Sequence, residues 1–483
     1  MAWVRWLVSL LSVLLSAFTV ARAQGVASPV VPRRPSPLVA ASPSAPTSAA
    51  PPVAGVPAGP STSPPAGGTG HVRSTTTTTT TTATTSPGGS AGSSADAGSA
   101  GGSGNGSATH GAPSSAASSD APSLPSLLPG FSVAEVRSEA RWIRSVQFPD
   151  GSITEAPYPS WSPSVRIDPY LANYAALGLV RAAEVTKSSA DLAAARSWLL
   201  WYQRHEEAGT GYVADYQLQT AAGARPVSLG HEDSTDAYAG TFLLAAGAYA
   251  EVAGPAGASA LEPGVQGALS AIESTQDLDG LTWALPSYHM AYLMDVSEAY
   301  GGLFGAVDFA RVIGDPALAT QATKAARAMA GGVQGLLWNP AAGSFDWAAN
   351  RTGKATVDWS VFYPDGMEEA WAVGFGLATP SEAASVIAQI DAHDQAWTEP
   401  FADALYRGAT ASDISSEPVG WWPVVAWALE DAGAVSRADS ELQTFVATGQ
   451  AHHWPWTFTT ANMGQLIVAE TGGLGSGLVP GAA

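Results

Sequence analysis

Six consecutive residues, His231-Glu232-Asp233-Ser234-Thr235-Asp236, set three carboxyl groups and an imidazole ahead of a stretch, Ala237 to Ala250, that carries no charge. A helix apolar around its whole circumference belongs inside a protein, with other helices outside it. The acidic front then lies where a buried helix emerges into a pocket. Asp236 falls one turn inside that helix, where an unpaired carboxylate is costly or takes up a proton. A raised pKa is what a general acid requires, so Asp236 is the first candidate for proton transfer. Asp233 is the second, although aspartate is also a preferred N-cap and is favoured by the helix dipole.

The same logic applies to Glu368 and Glu369, which precede another nearly uncharged run, Ala370 to Gly376. One of an adjacent pair can face a cleft while the other faces a neighbouring helix, and Glu368 is the cleft candidate. Asp365-Gly-Met-Glu368 has capping spacing, like Asp233-Ser-Thr-Asp236. Asp168, ahead of Pro169, reads as a cap that also touches a ligand. Asp295, in Tyr292-Leu-Met-Asp-Val, reads as a mid-helix residue paired with an arginine or tyrosine. His231, Tyr288, Trp421, Trp422, His453, Trp454 and Trp456 stand at comparable helix starts, where flat aromatic faces can stack on a ligand.

These groups need elements to position them. Caps and breakers predict about twelve helices between Leu124 and Thr471. Ser132-Val-Ala-Glu135 opens the first with a capping box, and Thr379-Pro380-Ser381-Glu382 opens another with proline in its first turn. Helices beginning near 132, 189, 260, 317, 381 and 435 carry charge along one face. Those beginning near 168, 233, 288, 368, 418 and 458 are rich in Ala, Gly, Leu, Trp and Tyr. Six amphipathic–apolar pairs bury their apolar members by closing into a double ring, so the expected fold is all-α, an (α/α)6 toroid of six helical hairpins.

The loops between outer and inner helices have a common flavour. They include Pro149-Asp-Gly-Ser-Ile153, Gly211-Tyr-Val-Ala-Asp-Tyr216, Asp277-Leu-Asp-Gly-Leu-Thr-Trp283 and Leu337-Trp-Asn-Pro-Ala-Ala-Gly-Ser-Phe-Asp346. With the helix alternation and the acidic or aromatic inner-helix starts, they resemble the six-hairpin glycosidase superfamily over about Leu124 to Thr471. That superfamily includes the glucoamylase-like, family 8 cellulase-like and unsaturated glucuronyl hydrolase-like barrels, and no single family is assigned. The resemblance implies a carbohydrate-active cleft at the inner-helix starts and hydrolysis with inversion. Glycoside hydrolysis uses a protonated carboxyl on the leaving oxygen and a second carboxylate. Polysaccharide lyase or sugar epimerase chemistry on the same fold ranks lower, because only Arg166, with Arg407 in a loop, offers a cation near the helix starts. A non-catalytic glycan-binding surface module is the alternative from another class.

Composition bounds the rest. Residues 1–23 have the charged start, apolar run and Ala21-Arg22-Ala23 ending of a secretory signal peptide, too short for a comfortable membrane span. Residues 24–123, rich in Pro, Ser, Ala, Gly and Thr, read as a disordered low-complexity stalk. Residues 124–471 form the expected barrel domain and 472–483 a flexible tail. The expectation is a secreted or cell-surface monomer with no integral membrane segment once the signal is removed. There is no cysteine, and the net charge is −20. That excludes thiolate chemistry and argues against nucleic-acid partners. Neither His-Glu-x-x-His nor an Asp-x-Asp-x-Asp-Gly loop occurs, so neither metal nor cofactor is expected, and a carbohydrate is the expected substrate.

Overall fold

The computed structural model describes residues 127–155, 164–219, 225–406, 422–451 and 459–474, all within the second of the chain's two units, Gly111–Ala483. The proposed signal and stalk, the tail beyond Leu474, and the candidates Trp421, His453, Trp454 and Trp456 lie outside the described residues.

Twelve α-helices stand among the described residues. The outer set is α1 (Val133–Ser145), α3 (Ser189–His205), α5 (Glu262–Thr275), α7 (Pro316–Gly332), α9 (Pro380–Tyr406) and α11 (Val435–Ala451). The inner set is α2 (Pro169–Thr186), α4 (Thr235–Ala258), α6 (Leu293–Ile313), α8 (Met367–Gly374), α10 (Trp422–Asp431) and α12 (Thr460–Glu470). Each inner helix packs on the next, and α12 returns to α2, so the inner ring closes into a toroid. The outer helices sit against the inner ones around it. No helix among the described residues is long and apolar enough to cross a membrane.

Both predicted capping boxes form. Glu135 N–H and Ser132 Oγ meet at 3.3 Å while Ser132 N–H donates to Glu135 Oε2 at 2.8 Å. Thr379 N–H donates to Glu382 Oε2 at 2.7 Å, and Glu382 N–H reaches Thr379 Oγ1 at 3.4 Å. Two capping expectations are corrected. Ser234, not Asp233, is the N-cap of α4. Asp365 accepts the Asp358 N–H at 2.7 Å, closing its loop, and no side chain caps α8. The lesson is local. Capping spacing locates a helix start, but a serine inside the same window takes the cap.

Closure depends on small residues. A Cβ on Gly240 of α4 would stand 2.6 Å from the Glu298 carbonyl oxygen on α6, and Gly302 faces Gly240 in return. Gly247 and Gly305 repeat the arrangement two turns on, and Gly178 of α2 meets Gly464 of α12 at the seam. Backbones therefore touch directly, as only glycine permits. At the same seam Leu128 N–H donates to the Glu470 carbonyl at 2.9 Å, and Thr460 N–H to that of Glu155 at 2.8 Å.

The predicted Gly-containing loops stitch the outer ring. Gly151, Gly211, Gly280 and Gly343 all have positive φ. Each lies against the next outer helix: at Ser197 of α3, Gly267 of α5, Ala328 of α7 and Ser385 of α9. Gln147 Nε2 donates to the Ala194 carbonyl at 2.9 Å, and Gln276 Nε2 to that of Ala325 at 3.0 Å, so two of these loops share one more contact.

Strands were not anticipated. β1 (Ser164–Ile167), β2 (Tyr216–Gln219) and β3 (Arg225–Ser228) form an antiparallel sheet ahead of α2 and α4. β4 (Ala291–Tyr292), β5 (Trp338–Asn339), β6 (Ser344–Asn350) and β7 (Gly353–Thr356) form a second, ahead of α6 and α8. Both lie in connections into inner helices. The two- and four-residue strands give too few alternations to register, and β6, seven residues long, is buried on both faces and so has no period-two pattern.

Replacing Gly464 by leucine forces the α2–α12 backbones apart. Urea unfolding followed by circular dichroism is expected to show a loss of about 3 kcal/mol or more. Gly331 of α7, whose Cβ position is open, is the control. Gly331→Ala is expected to be neutral or to stabilise by up to about 1 kcal/mol.

Candidate functional site

The first sheet builds one side of the site. β1 and β2 pair with Arg166 opposite Gln217 and Ile167 opposite Tyr216. Continuing this register by one residue sets Asp168 opposite Asp215. Beyond β3, His231 stays beside Asp215, whose N–H donates to the His231 carbonyl at 2.8 Å. Arg166 Nη2 reaches Asp215 Oδ2 at 2.7 Å, Asp168 Oδ2 at 3.2 Å and Asp233 Oδ2 at 3.8 Å. Tyr238 of α4 donates its hydroxyl to Asp215 Oδ1 at 2.8 Å. His231 Nδ1 lies 3.8 Å from Asp215 Oδ2.

One guanidinium thus serves several carboxyl groups. Asp168 accepts the Tyr170 and Leu171 N–H groups as the N-cap of α2, yet burial, with Asp215's charge adding and Arg166 opposing, pushes its pKa up to about 8. Burial also raises Asp215, against Arg166 and Tyr238. The side chains a ligand can reach are at the rim: Asp233 is 78 % exposed and Arg166 is 40 % exposed.

The second cluster joins three adjacent inner helices. Ser234 Oγ lies 2.6 Å from Asp236 Oδ1 of α4 and 2.9 Å from Asp295 Oδ2 of α6. Asp236 also accepts the Ala237 N–H at 3.0 Å. Glu368 of α8 accepts the Met294 N–H at 3.1 Å, in the first turn of α6. All three carboxyl groups are buried. Burial raises Asp236 to about 6, opposed by Ser234. Burial, then Asp236's charge, holds Asp295 well above the usual carboxylate range. Burial, then Asp295's charge, does the same for Glu368.

Deeper along the ring, Glu298 Oε1 accepts from Tyr170 at 2.7 Å, from Trp371 Nε1 at 2.9 Å and from the Tyr174 hydroxyl. Three inner helices, α2, α6 and α8, meet on this one oxygen. Burial pushes Glu298 up to about 8.

The second sheet supplies an aromatic wall. Tyr292 lies near-parallel to Trp347, with centroids 6.1 Å apart, and its hydroxyl is 3.2 Å from that of exposed Tyr288. Trp283 stacks on His289 at 3.5 Å with the Arg351 guanidinium 5.0 Å from its ring.

The candidates from sequence therefore separate. Asp168 and Asp233 converge on Arg166 with His231 beside Asp215, and Asp236 and Glu368 flank Asp295. Glu369 turns away: both of its oxygens accept the Phe345 N–H, at 2.9 and 3.1 Å, so it anchors β6 rather than joining this cluster. Trp422 begins α10. Asp295 sits in the first turn of α6 and bonds to a serine, not to an arginine or tyrosine. Sequence reasoning did not single out Asp215, Ser234, Glu298, Trp283 or Trp347. An Asp-x-x-Glu spacing, Asp295 to Glu298, inside an otherwise apolar helix start was the available signal for two carboxyls on one inward face.

No protein-family model and no curated protein matches the sequence. Among solved structures, the chain is similar to a glycosidase variant in complex with glucose, at 14 % identity and TM-score 0.47, over 72 % of this chain and 98 % of that one. A β-1,3-1,4-glucanase from a Paenibacillus species gives 10 % identity and TM-score 0.48 over 73 % and 96 %. A family 63 mannosylglycerate hydrolase from Thermus thermophilus, in complex with glucose, gives 12 % and 0.48 over 70 % and 99 %.

A carboxyl group with its folded pKa raised contributes stability below its unfolded pKa and loses it as pH rises through the folded value. Asp168 and Glu298 therefore contribute stability that is full below about pH 4 and is progressively lost as pH rises to about 8. Arg166→Met is expected to cost about 1–3 kcal/mol, less than for a fully buried pair because the guanidinium is partly solvated. The loss should be larger at pH 8 than at pH 5 in urea titrations, because protonation relieves the unpaired carboxylates.

Proposed function

We propose that the protein hydrolyses glycosidic bonds at the end of the barrel where Asp236, Asp295 and Glu368 meet. The observation that carries this reading is three buried carboxyl groups on adjacent helices whose hydrogen-bond partners, among the described residues, include no cation. Such a set stores protons near neutrality, as acid-catalysed departure of an alcohol requires.

Asp236 is the general acid in this proposal, because its pKa of about 6 keeps it poised between forms. Glu368 is the second carboxyl. Burial, Asp365 and Glu369 oppose its ionisation; a neutral Asp295 removes one further opposing charge, and the Met294 N–H favours the anion. Asp233 and His231 at the rim hold substrate hydroxyls, buried Asp168 holds Arg166 beneath them, and Tyr288 stacks a sugar ring. Inversion is the course we propose, by analogy with the superfamily the sequence resembles. Lyase or epimerase chemistry is less well supported, since Arg166 is already engaged by Asp215 and Asp168.

One observation favours a second reading, a non-catalytic glycan-binding module on the cell surface. Asp236 is 0 % exposed, whereas the rim groups are open to solvent. Binding at the rim without contact to Asp236 would give recognition without turnover.

Reducing-sugar release from a panel of poly- and oligosaccharides tests both. Hydrolysis predicts that Asp236→Asn and Glu368→Gln each lose about 10²–10⁴-fold in kcat/KM, while Asp233→Asn mainly raises KM. Wild-type kcat/KM should fall as pH rises through about 6, where Asp236 loses its proton. Saturable binding by calorimetry with no release from any bound glycan would establish the second reading. Proton NMR of the first-formed anomer reads the stereochemistry.

A further inference from the structure

We propose that Asp295, Ser234 and Asp236 form a proton relay, with Asp295 protonated at rest and Ser234 passing its proton to Asp236. The inference deepens the role given to Asp236 above and rests on that reading for its catalytic meaning. The structural part stands on hydrogen counting alone.

A serine hydroxyl carries one hydrogen. Ser234 Oγ nevertheless lies within hydrogen-bond distance of two carboxyl oxygens, Asp236 Oδ1 at 2.6 Å and Asp295 Oδ2 at 2.9 Å. It can donate to only one of them. The other must then donate to the serine, and a carboxyl group donates only when protonated. Two ionised carboxylates would leave one short contact between lone pairs in a water-poor site.

The lengths assign the direction. Bonds from a hydroxyl to an ionised oxygen are about 2.5–2.7 Å, and neutral ones centre on about 2.7–2.8 Å. The shorter contact, to Asp236, matches a hydroxyl donating to a carboxylate. Asp236 also receives the Ala237 N–H at 3.0 Å, a second donor to the same oxygen. Asp295 Oδ2 is then the donor of the longer bond. The surroundings agree: Asp236 of α4, Glu298 of its own helix and Asp233 of the preceding loop all oppose a charge on Asp295. On α8, Glu368 is coupled to it through charge as well.

The transfer balances without any further reactant. In the form that acts as the acid, Asp236 carries a proton as well as Asp295; giving that proton to a leaving oxygen leaves Asp236 as the carboxylate of the resting arrangement. The Ser234 O–H bond then breaks toward Asp236 Oδ1 while the Asp295 O–H bond breaks toward Ser234 Oγ. Asp236 is reprotonated, the serine hydroxyl is restored, and Asp295 is left as the carboxylate. Ser234 and Asp295 are positioning residues, since both act through Asp236.

Infrared difference spectroscopy on the full chain with ¹³C-labelled aspartate tests this without a substrate. At pH 7 the protonated-carboxyl C=O stretch of the wild type should lose one component in Asp295→Asn and keep it in Asp236→Asn. Ser234→Ala should shift that component, and Ser234→Thr, which keeps the hydroxyl, should restore it. Circular dichroism identifies any variant that fails to fold, and in that event the Ser234→Thr and wild-type spectra still decide. Loss of the component in Asp236→Asn instead, or its absence from the wild type at pH 7, overturns the relay. A protein with this signature that releases no sugar would keep the relay and remove the hydrolytic reading, so the two failures are distinct.

Discussion

The inner ring closes because backbones touch. Six helices with apolar surfaces have no polar stripe to hold them in register, so their spacing is set by the smallest residues between them. Gly240 against Gly302 and Gly247 against Gly305 draw α4 and α6 into direct contact, and Gly178 against Gly464 does so at the seam. The first of these pairs lies one to two turns below Asp236 and Asp295. The close approach of α4 and α6 brings the Ser234 hydroxyl, which caps α4, within 2.9 Å of Asp295 on α6. The packing that closes the ring therefore also sets the geometry of the acids.

Charge is arranged against that background by scarcity. The site gathers Asp168, Asp215, Asp233, Asp236, Asp295, Glu298 and Glu368, and among the described residues Arg166 is the cation bonded to them. A medium that penalises charge and lacks counter-ions settles by sharing protons rather than pairing ions. Near Arg166 the carboxyl groups are held by a cation and by Tyr238. Between α4, α6 and α8 they are held by a serine hydroxyl and two backbone N–H groups. The two clusters thus differ in kind: one fixes charge at the rim, the other stores protons beneath it.

Much of the architecture was legible in the sequence because it is local. The alternation of charged and uncharged helices, the boxes at Ser132 and Thr379, and the positive-φ glycines in the Asp-Gly loops are patterns within a few residues. The site was legible only in part. Asp236 and Glu368 announced themselves as acids at the heads of uncharged helices. Asp215 did not, because its importance comes from a strand register that brings Arg166 across from a distant segment. Ser234 looked like a cap, which it is, and nothing within its own helix shows the second carboxyl contributed by α6. Glu369 has the same local context as Glu368. Only the Phe345 backbone, brought in by β6, separates the two.

Glu298 has a consequence for how the molecule comes apart. In an array of repeats each unit contacts its neighbours, and stability approximates a sum of nearest-neighbour terms. A hairpin at the end of such an array can fray while the rest persists. Here one carboxyl oxygen is shared by α2, α6 and α8, and α2 and α6 are separated in the ring by α4. That oxygen couples units that are not neighbours. The toroid is built by repetition, but a bond shared across the ring favours unfolding as a single globule over loss of hairpins one at a time.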